Sequence, residues 1–451
     1  MHGYLLIGLL IIAILFIILG TARWRMHPFI VLILAAFGVG ILSGLPTGKI
    51  VDSVTGGFGN TLGSIGIVIA AGTIIGALLE KSGAMQVIAE AVIRWIGKAR
   101  SALAMSITGA IVSIPVFCDS GFVILSPLNR SMASEAKKSL AIYAVALSMG
   151  LYTTHVFVPP TPGPIAAAGT LNADLGSVIM LGLLVTIPVI AVTYFFALYM
   201  GNKIFIDPNK TTQSSSNEKK SEKMATGSKP GVLTALLPIL IPMILIALRS
   251  ITQLPSHPLG EGTWADIINL AGDPNTALIL GVLLAFITVN APAHKVYGEW
   301  VGNGLKSAGT IILITGAGGA FGNVLRATQI GDFIGSSLST WNLGILLPFI
   351  IAAAMKTAQG SSTVAIITTA SIVVPLLSSI GLSSNWGPAL VTLSIGAGAM
   401  TVSHANDSYF WVVSQFSGME VSEAYKLQTL GSAVAGGTGI VVIFLLSLVL
   451  G

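Results

Sequence analysis

Five ionisable side chains stand inside stretches that are otherwise apolar or small: Asp119, His155, Lys356, His404 and Asp407. A charged group at membrane depth costs at least ~2.5 kcal/mol on insertion scales, so such residues are candidates for function. Asp119 and Asp407 could exchange protons, or could each only hydrogen-bond a broken helix end. A free histidine side chain changes charge near neutral pH, so His155 and His404 suit proton carriage, substrate bonding or a structural bond. Lys356 could offset an anion's charge, pair permanently with an aspartate, or reach from a shallow position toward the interface.

The neighbours of these residues are hydroxyls, amides and glycines. Ser120 and Gly121 follow Asp119; Thr153, Thr154 and Thr161 flank His155; Gly360, Ser361, Ser362 and Thr363 follow Lys356; Asn406 precedes Asp407. Such groups can bind a carboxylate or sugar hydroxyls, and equally can serve close helix packing. All fall in four interruptions of apolar segments: Phe117–Gly121, Thr153–Pro164, Lys356–Thr363 and Ser403–Ser408. Prolines 159, 160, 162 and 164 remove backbone donors and end or kink a helix. Irregular backbone at membrane depth is tolerated only where it is buried in protein or lines a water-filled cavity. The half-helix N-termini that such breaks create suit a carboxylate.

The elements around these breaks are membrane helices. Of the 451 residues, 53% are hydrophobic and 9% charged, with a mean hydropathy of +0.88, where soluble chains carry about a quarter charged residues. The net charge of +5 does not indicate a nucleic-acid surface, because the basic residues are spread over loops. A single cysteine, Cys118, excludes an internal disulfide. HExxH, P-loop, CxxC and GxSxG patterns are missing, and GLPTGK at 44–49 has the wrong spacing. We therefore expect no enzyme, no cofactor and no bound metal, and coupling to an ion gradient rather than to ATP.

Basic residues set the expected topology. The first apolar run lacks a basic leader, and Arg23 and Arg25 follow it, so the N-terminus is expected outside. Of the 22 Lys and Arg, all but Lys49, Arg249, Arg326 and the intramembrane Lys356 then fall on the cytoplasmic side. The polar segment 202–230 is a cytoplasmic linker between two halves, and Trp24, Trp95 and Trp300 are expected to anchor interfaces. A register that lays Gly72 on Gly318 and Gly76 on Gly322 also superposes ALLEKSGAMQVI on NVLRATQIGDFI, which indicates an internal repeat; these GxxxG pairs read as packing positions. The interrupted segments 101–130 and 341–379 read as re-entrant hairpins dipping in from opposite faces.

The expectation is an all-α polytopic membrane protein, an inverted-repeat transporter with about ten spans and two re-entrant hairpins. Its parts are scaffold helices at 1–55, a first repeat at 56–201, the linker, further scaffold at 231–297, and a second repeat at 298–451. A channel would need a continuous polar lining, which discrete breaks do not provide.

The motifs FCDSGFVILSPL, THVFVPPTPGP, KTAQGSSTVAIITTA and SHANDSYFW, together with the chain as a whole, resemble the gluconate permease (GntP) family. That resemblance implies gluconate:proton symport in the cell inner membrane by an elevator-like alternation. It also implies a homodimer whose subunits have a scaffold part and a moving transport part. Partners would be a sugar-acid anion, protons and the bilayer, with Asp119 and Asp407 as proton carriers. Relatives in the family take other aldonates, fructuronate or glycerate. A sodium-coupled carboxylate carrier or an antiporter is the alternative within the same architecture.

Overall fold

The computed structural model describes residues 3–97, 100–209, 229–253, 262–328, 343–405 and 407–450. Most of the expected linker and Asn406 lie outside the described residues. In the first half the helices are α1 (Gly3–Ala22), α2 (Pro28–Leu42), α3 (Thr47–Lys81), α4 (Ala84–Ile96), α5 (Ser101–Val112), α6 (Cys118–Glu135), α7 (Leu140–Phe157), α8 (Pro162–Leu171) and α9 (Leu175–Lys203). In the second they are α10 (Val232–Thr252), α11 (Thr263–Ala271), α12 (Pro274–Ile287), α13 (Lys295–Ala327), α14 (Leu346–Gln359), α15 (Ser362–Val373), α16 (Gly387–Met400), α17 (Ser408–Ser417) and α18 (Val421–Leu450). Among the described residues there is no strand.

Two helices form the centre. Every residue of α7 is buried, and in α16 only Pro388 is not. Helices apolar all round belong inside a protein. Small residues let neighbours approach α7 closely. Ser101 on α5 bonds Tyr143 (2.7 Å), Ser106 donates to the Ala146 carbonyl (2.9 Å), and Gly109 and Gly150 face each other's helix, so α5 runs parallel to α7. α6 then returns antiparallel: Gly121 sits against Leu151, while Ser134 bonds Asn209 (3.0 Å) beside the start of α7. α5 and α6 thus enter and leave on one face, which we call the basic face after Arg130, Lys137, Lys138 and Lys203 near it.

The second half repeats this arrangement around α16. Ser394 donates to the Ile345 carbonyl (2.6 Å), and Gly398 lies against Phe349 and Ala352, so α14 is parallel to α16. α15 returns along α8 and α13, with Ile366 at Gly163 and Ser371 at Gly318. The pair α3 and α13 is antiparallel, with Gly57 facing Gly319 and Asn323, and Gly304 facing Thr73 and Ile74. Gly72 and Gly76 press on the carbonyls of Pro160 and Pro115, and Gly322 on that of Ser371, which is the packing role expected of both GxxxG pairs.

Among the described residues six helices are long and apolar enough to cross a bilayer alone, or seven if α11 and α12, bent by 65°, are one span. The apolar parts of α1, α2, α5, α14, α15 and α16 are 10–17 residues long and fall outside that length criterion. One expectation changes. Trp24 and Trp95 are exposed, but Trp300 is buried against Leu78, Ala285 and Val296 and serves packing rather than anchoring.

Candidate functional site

The four breaks meet at the centre, and three open a helix N-terminus capped by its own side chain or turn. Asp407 caps α17, its Oδ1 accepting from the Tyr409 N–H (3.1 Å). Ser361 caps α15 through Val364 N (3.3 Å). Thr161 precedes Pro162 at the start of α8, and its hydroxyl donates to the Val158 carbonyl (2.8 Å). α6 begins after Phe117 with Asp119 in its first turn.

Lys356, in the last turn of α14, is completely buried. Its Nζ lies 2.6 Å from Asp407 Oδ2, donates to the Gly360 carbonyl (2.5 Å), and stands 5.7 Å from the centre of the Tyr152 ring. Asp407 Oδ2 also accepts from Ser403 Oγ (2.6 Å). Of the three roles open to Lys356, pairing with an aspartate is the one realised here, and it ties the second hairpin to the break between α16 and α17. A pair this deeply buried holds only because both partners have further hydrogen bonds. The His404 ring, through Nε2, reaches the Thr357 carbonyl (3.0 Å) across the same junction.

Asp119 lives differently. Its Oδ1 accepts a long bond from Ser408 Oγ (3.4 Å) and its Oδ2 one from Cys118 Sγ (3.8 Å). Among the described residues no cation pairs with it. With Ser120 it lies at the inner end of a cavity of about 1150 Å³ lined by Glu80, Arg130, Glu135, Pro208 and Asn209, which opens toward the basic face.

The remaining expected residues divide by environment. His155 is buried beside the Phe117 ring (5.9 Å); among the described residues its Nδ1 has no hydrogen-bond partner, and neither has the buried Thr154 hydroxyl. Buried polar atoms without partners in a native structure call for a ligand, an ion or water. Thr153 turns back to the Met149 carbonyl (2.6 Å), so its hydroxyl serves its own helix. Gly121 packs on Leu151. Gly360 takes the left-handed backbone (φ +83°) that ends α14 and turns its carbonyl to Lys356. Ser362 is buried, and Thr363 lies along Gly163 of α8.

Several participants were not anticipated. Tyr152 reads as a core aromatic, yet its ring faces Lys356. Gln359, at the second hairpin's tip, has both amide atoms buried without partners among the described residues; a Gln between apolar residues and Gly360 was the available signal. Gln428, fully buried in a π-helical stretch at Tyr425–Thr429, accepts from Ser148 Oγ (2.7 Å). Single-turn π segments inside α-helices often mark functional sites.

A model of the GntP family permeases matches residues 4–449. The chain belongs to the GntP family of permeases. It is 37% identical to a gluconate permease of Pseudomonas aeruginosa over 455 residues, 99% of this chain and 98% of that one. It is 31% identical to the D-serine transporter DsdX of Escherichia coli K12 over 458 residues, the whole of both chains. Among solved structures, Neisseria gonorrhoeae MtrF, described as representing a class of antimetabolite efflux pumps, shares the fold with a TM-score of 0.69 at 14% identity, covering 96% of this chain and 97% of that one. This permease is therefore a multi-pass membrane transporter and not an enzyme.

Proposed function

We propose that this permease is a proton-coupled importer of gluconate or a related sugar-acid anion in the inner membrane. The observation that carries the reading is the buried Lys356–Asp407 pair, with Asp119 unpaired nearby at the end of an open cavity. A substrate carboxylate that takes Lys356 as its partner displaces Asp407. One buried cation cannot neutralise two carboxylates in a medium of low dielectric, so Asp407 takes up a proton and binding of substrate and proton become linked. Asp119, facing the basic-face cavity, is suited to exchange protons with water there. Hydroxyl and amide groups of Ser120, Thr154, Ser361 and Gln359 surround the junction and suit a polyol tail.

The reading includes an elevator-like alternation, in which the two hairpins and the adjoining broken helices move together past the remaining helices. The reading sets the basic face in the cytoplasm, the N-terminus outside, and takes the working unit as a homodimer. Uptake into proteoliposomes tests it. Gluconate should accumulate with an inward proton gradient and not with sodium alone; hexanoate and glucose should compete poorly, since a site built for hydroxyls rejects analogues lacking them. Accumulation driven by sodium, or of a dicarboxylate alone, would overturn it. A second reading is favoured by the full-length similarity to a D-serine transporter: a small hydroxylated amino acid, whose carboxylate would use the same lysine.

A further inference from the structure

A second, smaller cavity lies about a membrane's thickness from the first. Gly57 meets Gly319 and Asn323, whereas Glu80 lines the large basic-face cavity. The stretch of α3 between Gly57 and Glu80 spans about 35 Å at ~1.5 Å per residue. The small cavity, of about 160 Å³, is therefore at the far face, between the pair α3 and α13 and the inner elements α8 and α15. Its uncharged polar lining is Asn60, Thr61, Ser64, Thr170, Asn172 and Asn323, and among the described residues Arg326 is its only charge, with no carboxylate. Glycines at 57, 169, 319 and 322 keep its walls close, and Asn323 is itself fixed by donating to the Ser53 carbonyl (2.9 Å).

The two faces differ in sign at matching positions. The register that lays Gly72 on Gly318 lays Glu80 on Arg326. Glu80, Asp119 and Glu135 line the basic-face cavity with Arg130 as the one cation in its lining, a balance that disfavours retention of an anion, while among the described residues Arg326 is the one charge beside the neutral donors of the far-face cavity. A lone guanidinium surrounded by amides and hydroxyls is an anion site in its chemistry. At 160 Å³ it is smaller than the ~300 Å³ of ordinary ligand pockets, so it fits a carboxylate head and not a whole sugar acid.

We infer that this far-face cavity captures the substrate's carboxylate before it reaches Lys356, with Arg326 as the cation. The inference rests on the carboxylate-transport reading above. A phosphate of a lipid headgroup has related chemistry, and the test separates the two sources.

Uptake is measured in proteoliposomes with a carboxylate substrate supplied at the far face. Arg326→Gln should raise KM about tenfold, the scale of a lost charged hydrogen bond, with Vmax within about twofold; Arg326→Lys should recover most of the loss. An unchanged KM in Arg326→Gln overturns the inference while leaving carboxylate transport intact. A defect that appears in Vmax and follows the anionic-lipid content of the vesicles assigns Arg326 to lipid and also overturns it. A substrate-free readout makes the test independent of the transport reading. With Ser64→Cys as the only cysteine, on a Cys118→Ser background, an anionic methanethiosulfonate should react several-fold faster than a cationic one of similar size, and Arg326→Gln should abolish that preference. Equal rates in the parent would overturn the capture site. A preserved preference in a protein that transports no carboxylate would keep the anion site and discard the transport reading.

Discussion

The two hairpins share an architecture and differ in state. The first ends in Asp119, unpaired by any described cation and facing about 1150 Å³ of open cavity. The second ends in Lys356, fully buried and locked to Asp407, Gly360 and, through that aspartate, Ser403. Each hairpin lies parallel and then antiparallel to a buried central helix, so packing alone does not distinguish them. The difference lies in electrostatics: one tip has a charge paired inside the protein, and the other has a carboxyl group with no described cation partner at the end of an open cavity. A transporter that alternates between faces needs such inequality at any instant, because two open tips would make a channel.

The largest expected effect lies at the closed tip. Lys356→Met leaves Asp407 buried beside an apolar chain, and thermal unfolding in detergent should register a loss of about 3–5 kcal/mol together with no uptake. Lys356→Met combined with Asp407→Leu should recover most of the stability and none of the transport. If the single variant unfolds like the parent, the pair is not what closes this tip.

The open tip should respond in function and hardly in stability. Asp119→Asn keeps shape and loses no ion pair, so unfolding should shift by less than about 1 kcal/mol, while proton-driven accumulation fails and substrate counterflow persists. Normal accumulation would transfer the proton role to Asp407 alone.

Packing around the first hairpin gives the next effect. A Cβ at Gly150 would overlap the Ser106 carbonyl, whereas Gly63 has nothing within 4 Å. Gly150→Ala should cost about 1–3 kcal/mol, and Gly63→Ala should be neutral or slightly stabilising. Equal stability of the two would mean that α5 does not ride on α7 as closely as described. The smallest change is Ser361→Ala, which removes the cap of α15 and should cost about 1 kcal/mol, with a modest rise in KM; the same loss without a KM change would make Ser361 a cap only.

Much of this was legible in one dimension. Bilayer insertion penalises every intramembrane charge and every break in an apolar helix, so Asp119, Lys356, Asp407 and the four interruptions stand out against their surroundings. The crossing count was less legible, since broken helices yield pieces shorter than a span. Trp300 misled because an aromatic near a basic segment looks the same whether it faces headgroups or, as here, the neighbouring helices.

What the sequence by itself determined is the class of protein, the positions of its breaks and a set of candidate residues at them. Tertiary structure alone decided the partnerships. Lys356 and Asp407, Ser408 and Asp119, and Tyr152 with its facing lysine are all far apart in the chain. The physical reason is that a buried charge is stable only with a partner at about 3 Å, and nothing in local pattern says which of several candidate partners the packing of helices will bring that close.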